Sequence, residues 1–492
     1  MKKIVIVGGG VAGLSAGIYG QLSGFDCKIL ERHCRPGGNL TGWDRNGFHI
    51  DNCIHWLTGT KEGTKLRERW EEVGALYPGI GLCPTERLYG STMDGKTVSM
   101  SCDVEQTREQ MLSVSPQDAA EIESFISAVK SCMRAMAPGR MSPGEAASYG
   151  AAMVKYGRID LYTLAGKFRH PLLKRLVTDY IGGEYVAAAL VLAYAAYASG
   201  NGGIPAGGSL QMADRMAARF RVLGGEILTS AEVSGVRLEN TRASGVILCD
   251  GSFVPADYVV CACDTGVTFG RLLGEKYMPQ RLRRCYADDK RYPVFSSFHA
   301  AFAADVLPQR LRNTEIFDVP PVQVGRVSVR RMAVREYSHE PSFAPEGKTV
   351  IQSVVFQRAD DCENWQKMRA DAAAYKAEKK RIAGQMMSGL EAHCPELCGK
   401  LRVLDTWTPA TYNRYFGAYK GAYMSFAMLP GIKGRRVDSR IRGLENVVLA
   451  SQWQQMPGGL PTALNAGKSA ADTIAALDRP RKRLPGRVAV LS

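Results

Sequence analysis

The chain is 492 residues long, enough for two or more domains with ample core. Apolar residues make up 45% and charged residues 23%, the balance of a soluble globular protein, and the longest apolar run, residues 186–198, is too short for a membrane-spanning helix. The formal net charge of +15 fits an acidic substrate, an anionic membrane surface or solubility alone; most of the excess is dispersed, so no nucleic-acid partner is expected.

The 13 cysteines are scattered without a C-x-x-C pair, which excludes a zinc-type spacing and points to a reduced, cytoplasmic protein with buried thiols. No metal ligand set is expected. The apolar run after Lys2 and Lys3 is too short for a signal peptide.

Residues 4–7 form a continuous apolar run, the pattern of a strand buried on both faces. Gly8, Gly10 and Gly13 follow as G-x-G-x-x-G. A helix is predicted from about Val11 to Ser23, with Gly24 to end it, then a second strand over residues 27–30 closing on Glu31. This is a βαβ dinucleotide fingerprint in its proper context. Gly8 permits the tight turn, Gly10 lets a pyrophosphate approach the backbone, and Gly13 lets helix and strand pack closely. The first turn, with Val11 and Ala12, offers free N–H groups and partial positive charge to phosphate. Glu31 can accept the ribose hydroxyls, and its charge disfavours a 2′-phosphate.

Arg35-Pro36-Gly37-Gly38-Asn39-Leu40-Thr41 places a second glycine pair just past the acid. A ligand longer than NAD would explain why the backbone approaches it twice. Here the chain resembles the flavoprotein group that includes amine oxidases and phytoene desaturases. Their motif is E-x5-G-G-R-x-x-S/T, and Glu31, Gly37 and Gly38 fit it, with Thr41 one position before the S/T place. Asn39 stands where that group has a phosphate-contacting arginine, so the resemblance implies that Arg32 or Arg35 supplies the charge. The stretch Asp51-Asn52-Cys53-Ile54-His55 resembles the D-x-G-x-H segment that runs beneath the flavin in the phytoene desaturase and retinol saturase branch, with Cys53 in place of glycine. His55 is therefore a candidate both for flavin contact and for catalysis. A hydrogen-bonded core histidine beside Trp56 is the competing reading.

Residues 61–202 read as a mostly helical insertion. A helix is predicted around residues 115–136, started by Ser115-Pro116-Gln117-Asp118 and carrying Ile122, Phe125, Ile126 and Val129 at helical spacing. The run at 186–198 reads as a core helix. Ile204-Pro205-Ala206-Gly207-Gly208 resembles the family's P-x-G-G loop before a helix, here running to about Leu223. A third parallel strand follows at 224–228. The resemblance gives Val233 an adenine-pairing backbone. An antiparallel pair is predicted at 236–238 and 245–248, and a buried strand at 258–264.

Residues 294–302 and 349–356 look like strands of a separate sheet, and 371–390 like an amphipathic helix. Thr408-Pro409-Ala410-Thr411-Tyr412 resembles the family's T-P-x-T-Y segment, which leads into the substrate cavity. That makes Tyr412, Tyr415, Tyr419 and Lys420 candidates to face substrate; an ordinary aromatic cluster is the alternative. A last strand at 444–453 leads to Met456-Pro457-Gly458-Gly459-Leu460-Pro461-Thr462 and a helix to about Leu477. In the family this helix start points at the flavin pyrimidine edge, which assigns Gly458, Gly459, Leu460 and Thr462 to the cofactor.

The fold expected is α/β: a Rossmann-like FAD-binding domain, a parallel sheet with helices, assembled from residues 1–60, 203–271 and 441–478. An α+β substrate domain would come from 61–202 and 272–440, with a basic tail at 479–492 read as disordered, surface attachment being the alternative. The resemblance implies non-covalent FAD and hydride transfer to or from a small hydrophobic substrate, with desaturation, saturation or isomerisation of carbon–carbon bonds. Oxygen, a quinone or a carrier would accept electrons. Two alternatives stay open. One is an amine or amino-acid oxidase, with Tyr412, Tyr419 and Lys420 as cage and lysine. The other is a non-catalytic lipid-binding escort, as in Rab GDP-dissociation inhibitors.

Overall fold

A computed structural model describes residues 1–83, 86–434 and 436–479. The basic tail expected past Arg479 lies outside the described residues. Among the described residues no helix is long and apolar enough to cross a membrane.

A five-stranded parallel sheet stands at the centre of the nucleotide-binding part. Its spatial order is Glu226–Leu228, Asp26–Leu30, Lys3–Val7, Tyr258–Cys261 and Val447–Leu449. Every neighbouring pair is parallel. The strands come from the two ends and the middle of the chain. Ile4, Val5 and Ile6 are almost fully buried, as a strand covered on both faces requires. Helix Val11–Leu22 follows the first strand, and Gly24 ends the turn in the left-handed region (φ 84°). Helix Leu460–Asp478 lies against it so closely that a Cβ at Gly467 would stand 2.4 Å from the Ala12 carbonyl oxygen. Ser15 Oγ also donates to the Leu464 carbonyl at 2.8 Å.

The expected break after residue 60 is displaced. Helix Lys65–Glu72 and the turn beyond it bury Trp70, Val73, Leu76 and Ile80 in the same core as Ile4, Leu14 and Ile29. The apolar residues there belong to the nucleotide core.

A second sheet has seven strands in the order Leu401–Trp407, Phe295–Ala304, Thr349–Arg358, Val327–Glu336, Thr314–Val324, Arg87–Met93 and Lys96–Ser101. Its pairings are antiparallel except where Thr314–Val324 meets Arg87–Met93. The last two strands correct the helical reading of residues 61–202. They form a hairpin whose turn is Asp94-Gly95, both at positive φ (50° and 70°), a signal present in the sequence. Side chains alternate across this sheet. Phe298 and Phe302 pack under helix Ala372–His393 with Ile382, Met386 and Leu390. Ser297 and His299 point to the opposite face, into a cavity.

A helical lobe covers the far side. Helix Ala119–Met136 buries Ile122, Phe125, Ile126 and Val129, and helix Ala187–Ala198 packs Leu190, Val191 and Tyr194 into the same cluster. Its entry is fixed by Asp118, whose carboxylate accepts from Ser115 Oγ at 2.7 Å and from the Arg169 N–H at 2.9 Å.

Candidate active site

One cavity of about 1370 Å³ runs from the glycine loop of the first strand to the seven-stranded sheet. That exceeds the usual range for a single small ligand, about 300–1,000 Å³. Three helices begin near it, and their first turns differ. Helix Val11–Leu22 has Gly10 at its N-cap and helix Leu460–Asp478 has Gly459, and neither is capped by a side chain. The middle helix, Gly208–Val222, is capped from elsewhere in the chain. Asp51 accepts from the Ser209 N–H at 2.6 Å, and Glu340 from the Gly207 N–H at 2.7 Å. Carboxylates thus satisfy the middle helix. In the last helix the Gly459 N–H donates to Gln452 Oε1 at 2.9 Å, while the first-turn N–H groups of the first and last helices keep their partial positive charge for a ligand. Because those two pack side by side, both starts face one space: Gly10, Val11 and Ala12 line it, as do Gly458, Gly459 and Leu460.

The glycines differ in the room around them. A Cβ on Gly13 would lie 1.9 Å from the Gly8 carbonyl oxygen, so only glycine lets the helix seat on its strand. A Cβ on Gly10 would meet nothing nearer than 3.9 Å and would project toward the Gly37–Gly38 turn. That turn is fastened to the first loop by the Gly37 N–H donating to the Gly9 carbonyl at 2.9 Å. Glu31 accepts from the Gly9 N–H at 2.7 Å and the His33 N–H at 2.8 Å, which fixes its carboxylate at the cavity wall.

Arg32 lines the cavity with its guanidinium donating to the Arg414 carbonyl at 2.7 Å; Arg35 pairs with Asp214 at 3.1 Å. Asn39 lines the cavity too, and its buried Oδ1 has no hydrogen-bond partner among the described residues. Val233 reaches the wall, with its carbonyl accepting from Arg271 at 3.3 Å. Thr462 departs from expectation: its hydroxyl turns back to the Gly458 carbonyl at 3.0 Å, as an N-terminal-turn threonine readily does, and Pro461 lines the cavity in its place.

Against the seven-stranded sheet lies a polar cluster that the sequence shows only in part. Tyr412, on helix Pro409–Phe416, is buried; it donates to Asn52 Oδ1 at 3.0 Å, accepts from Trp407 Nε1 at 3.2 Å and stands 3.2 Å from His299 Nε2. The His299 ring stacks on Trp407 with centroids 4.6 Å apart. Burial drives the His299 pKa down to about 3 and raises that of Tyr412, so both are neutral at physiological pH. His55 lines the same cavity. Its pKa is lowered well below the ordinary value by burial first, then by the charge of Arg335, then by His299. His299, Trp407 and Arg335 were not singled out in the sequence, because a strand residue shows its importance only once neighbouring strands are paired.

Three expected substrate contacts stand away from the sheet. Tyr415 lines the cavity, but it is 42% exposed and packs edge-on to His33 at 5.8 Å, on the Glu31 side. The Lys420 ammonium lies over the Tyr419 ring at 5.7 Å, and neither residue lines the cavity. The Tyr419 N–H is tied to Asp264 Oδ2 at 2.9 Å and its ring packs on Tyr286 and Trp453, so backbone and ring are both committed inward. Asp264 itself lines the cavity, and burial lifts its pKa to about 6 against the opposing bonds from Tyr419, Gly266 and Val267.

Comparison with known proteins agrees with this geometry. Residues 6–73 match the family described as NAD(P)-binding Rossmann-like domain. Residues 173–475 match the family described as flavin containing amine oxidoreductase. The chain is 22% identical to 4,4'-diaponeurosporene oxygenase of Staphylococcus aureus, over 98% of this chain and 100% of that protein. It is 23% identical to the chloroplastic prolycopene isomerase of Daucus carota, over 85% of this chain and 71% of that one. Among solved structures, an oxidoreductase from Methanosarcina mazei matches with a TM-score of 0.61 at 17% identity, covering 96% and 100% of the two chains. Cyclohexylamine oxidase from Brevibacterium oxydans matches at 0.57 and 16%, covering 97% and 100%. These last two show the shared fold. With two uncapped helix starts facing one cavity, and a family match spanning more than half its length, the chain belongs to the flavin-containing amine oxidoreductases.

Proposed function

We propose that the chain binds FAD non-covalently and transfers hydride between it and a carbon–carbon bond of an apolar substrate. The observation that carries this is the shared opening of the first and last helices into a cavity whose far wall is the seven-stranded sheet. FAD is favoured over a shorter flavin because the wall includes Glu31 and Val233 at one end and Gly459 at the other. Gly10 and Gly37–Gly38 would hold the diphosphate, Glu31 the ribose, and the Gly459–Leu460 turn the pyrimidine edge. When bound, the flavin supplies the two-electron redox chemistry.

The chain's own residues then bind, orient and exclude water. Ile181, Leu192, Ala193, Ala196 and Met428 give the substrate end an apolar lining. His55 and His299 are held neutral, so neither acts as an imidazolium acid. The displaced Lys420 and Tyr419 also argue against an amine cage. Burial pushes the Cys53 thiol up to about 12, which leaves no thiolate there to anchor a flavin covalently. The two carotenoid-acting relatives support a polyene-like substrate. Electrons would pass to oxygen, a quinone or a carrier.

The test is anaerobic spectroscopy of the purified yellow protein. Apolar polyenes or their saturated partners should reduce the bound flavin or reoxidise its reduced form, and amines should do neither. Bleaching by amines with release of hydrogen peroxide, or a colourless protein, would overturn the reading.

A further inference from the structure

Arg335 is a buried cation that lines the cavity and has no carboxylate within ion-pairing distance among the described residues. Its backbone neighbour Glu336 faces the other side of the sheet, where Thr349 Oγ1 (2.6 Å) and Ser338 Oγ (2.8 Å) donate to it. Glu315, on the adjacent strand, faces that side too and pairs with Arg87 at 3.0 Å. The charge of Arg335 is answered on the protein side by two neutral groups, the carbonyl of His55, to which its guanidinium donates, and the Tyr180 hydroxyl beside it. A buried charge without a counter-ion is costly unless a ligand completes it.

The register makes the site specific. Arg335 is directly opposite Thr314 on one neighbouring strand and Gln352 on the other. The three residues form one rung across the sheet, each more than nine-tenths buried (8%, 6% and 6% exposed) and each lining the cavity. Thr314 Oγ1 and Gln352 Nε2 have no hydrogen-bond partner among the described residues. Gln352 is held with its amide nitrogen free because its Oε1 accepts from the Tyr337 hydroxyl at 3.2 Å. A guanidinium, an amide N–H₂ and a hydroxyl thus lie in one row, all able to donate.

We propose that this rung is a carboxylate subsite, so that the substrate is an apolar molecule carrying an acid group at one end. The proposal rests on the reading of the cavity as a flavin and substrate site, and it narrows the substrate from a hydrocarbon to an apolar acid. The guanidinium takes the carboxylate through charge-assisted bonds, with Gln352 and Thr314 adding the side donors. The apolar lining receives the rest of the molecule and fixes which carbons lie along the cavity.

The experiment uses the flavin-loaded protein titrated with submicellar oleate, methyl oleate and oleyl alcohol, with perturbation of the flavin spectrum as the signal. Oleate should bind roughly ten- to hundred-fold more tightly than its ester or alcohol. Arg335→Met should abolish that preference, and Gln352→Leu should cut it several-fold, with flavin content unchanged in both. Equal affinity for acid and ester in the wild-type protein would overturn the subsite. So would a preference that survives Arg335→Met, or a variant whose flavin spectrum and content shift while the preference remains, because the guanidinium would then serve the flavin. If Arg335→Met does not fold, the wild-type comparison and Gln352→Leu decide. Loss of the acid preference leaves flavin reduction by hydrocarbons intact as a separate result, whereas a colourless or amine-oxidising protein removes the parent reading.

Discussion

Asp51 and Ser209, 158 residues apart, are joined by two hydrogen bonds of 2.6 Å, one from the Ser209 N–H and one from its hydroxyl. The same carboxylate accepts from the N–H groups of Cys53 at 3.0 Å and Ile54 at 3.2 Å. One buried side chain therefore caps the middle helix and sets the turn that carries Cys53 and His55 to the cavity. Its pKa is raised by burial, with the Ser209 bonds opposing.

Asp51→Ala should leave three donors unsatisfied, the Ser209 N–H and hydroxyl and the Cys53 N–H, while the Ile54 N–H keeps Ser209 Oγ at 2.9 Å, and should cost about 3 kcal/mol. Denaturant unfolding would measure this, and flavin content should fall with it. A variant of wild-type stability would mean that the helix start finds other partners.

Gly10→Ala and Gly13→Ala should behave differently although they sit three residues apart. The Gly10 Cβ has room, so the flavin-free protein should lose no more than about 1 kcal/mol, the scale of an N-cap change. Its flavin content should drop sharply, because the methyl occupies the diphosphate approach. The Gly13 Cβ would overlap the Gly8 carbonyl oxygen at 1.9 Å, so that variant should fail to accumulate as folded protein with or without flavin. Full flavin retention in Gly10→Ala would remove the loop from the site.

Tyr412→Phe leaves Trp407 Nε1 and Asn52 Oδ1 without a buried partner, at a cost of about 1–3 kcal/mol. Tyr415→Phe, at the exposed rim of the cavity, should change stability by no more than about 0.5 kcal/mol and leave turnover near wild type. A large loss of turnover in Tyr415→Phe at unchanged stability would restore it as a substrate contact.

His299 gives a pH signature. Its folded pKa of about 3 lies below the ordinary value of 6.5, so its contribution to stability is present above pH 6.5 and is lost as pH falls toward 3. Between pH 8 and pH 5 the wild-type protein should lose about 2 kcal/mol relative to His299→Gln. Parallel unfolding curves at the two pH values would measure the gap, and a constant gap would mean the imidazole charges freely in the folded state.

What was legible in the sequence was local. The first strand, its glycine turn and its helix are contiguous, so hydrophobic period and glycine spacing specify them without the rest of the fold. The last helix declares itself in the same way, through Gly458-Gly459 and Pro461. Helix Pro409–Phe416 is also local: Pro409 opens it, Thr408 and Thr411 cap it, and Gly417 closes it at φ 63°. These pieces, with the family resemblance they carry, pointed to the Rossmann-like fold and the flavin family and named the backbone turns proposed to hold the cofactor.

Tertiary structure decided which side chains share the cavity. Strand pairing set Thr314, Arg335 and Gln352 in one row, a juxtaposition that no spacing along the chain encodes. It also drew the Arg87–Met93 hairpin into the large sheet and buried Tyr412 while leaving Tyr415 at the rim. The physical reason is that backbone turns depend on adjacent residues, whereas side-chain convergence depends on register between segments far apart in the chain.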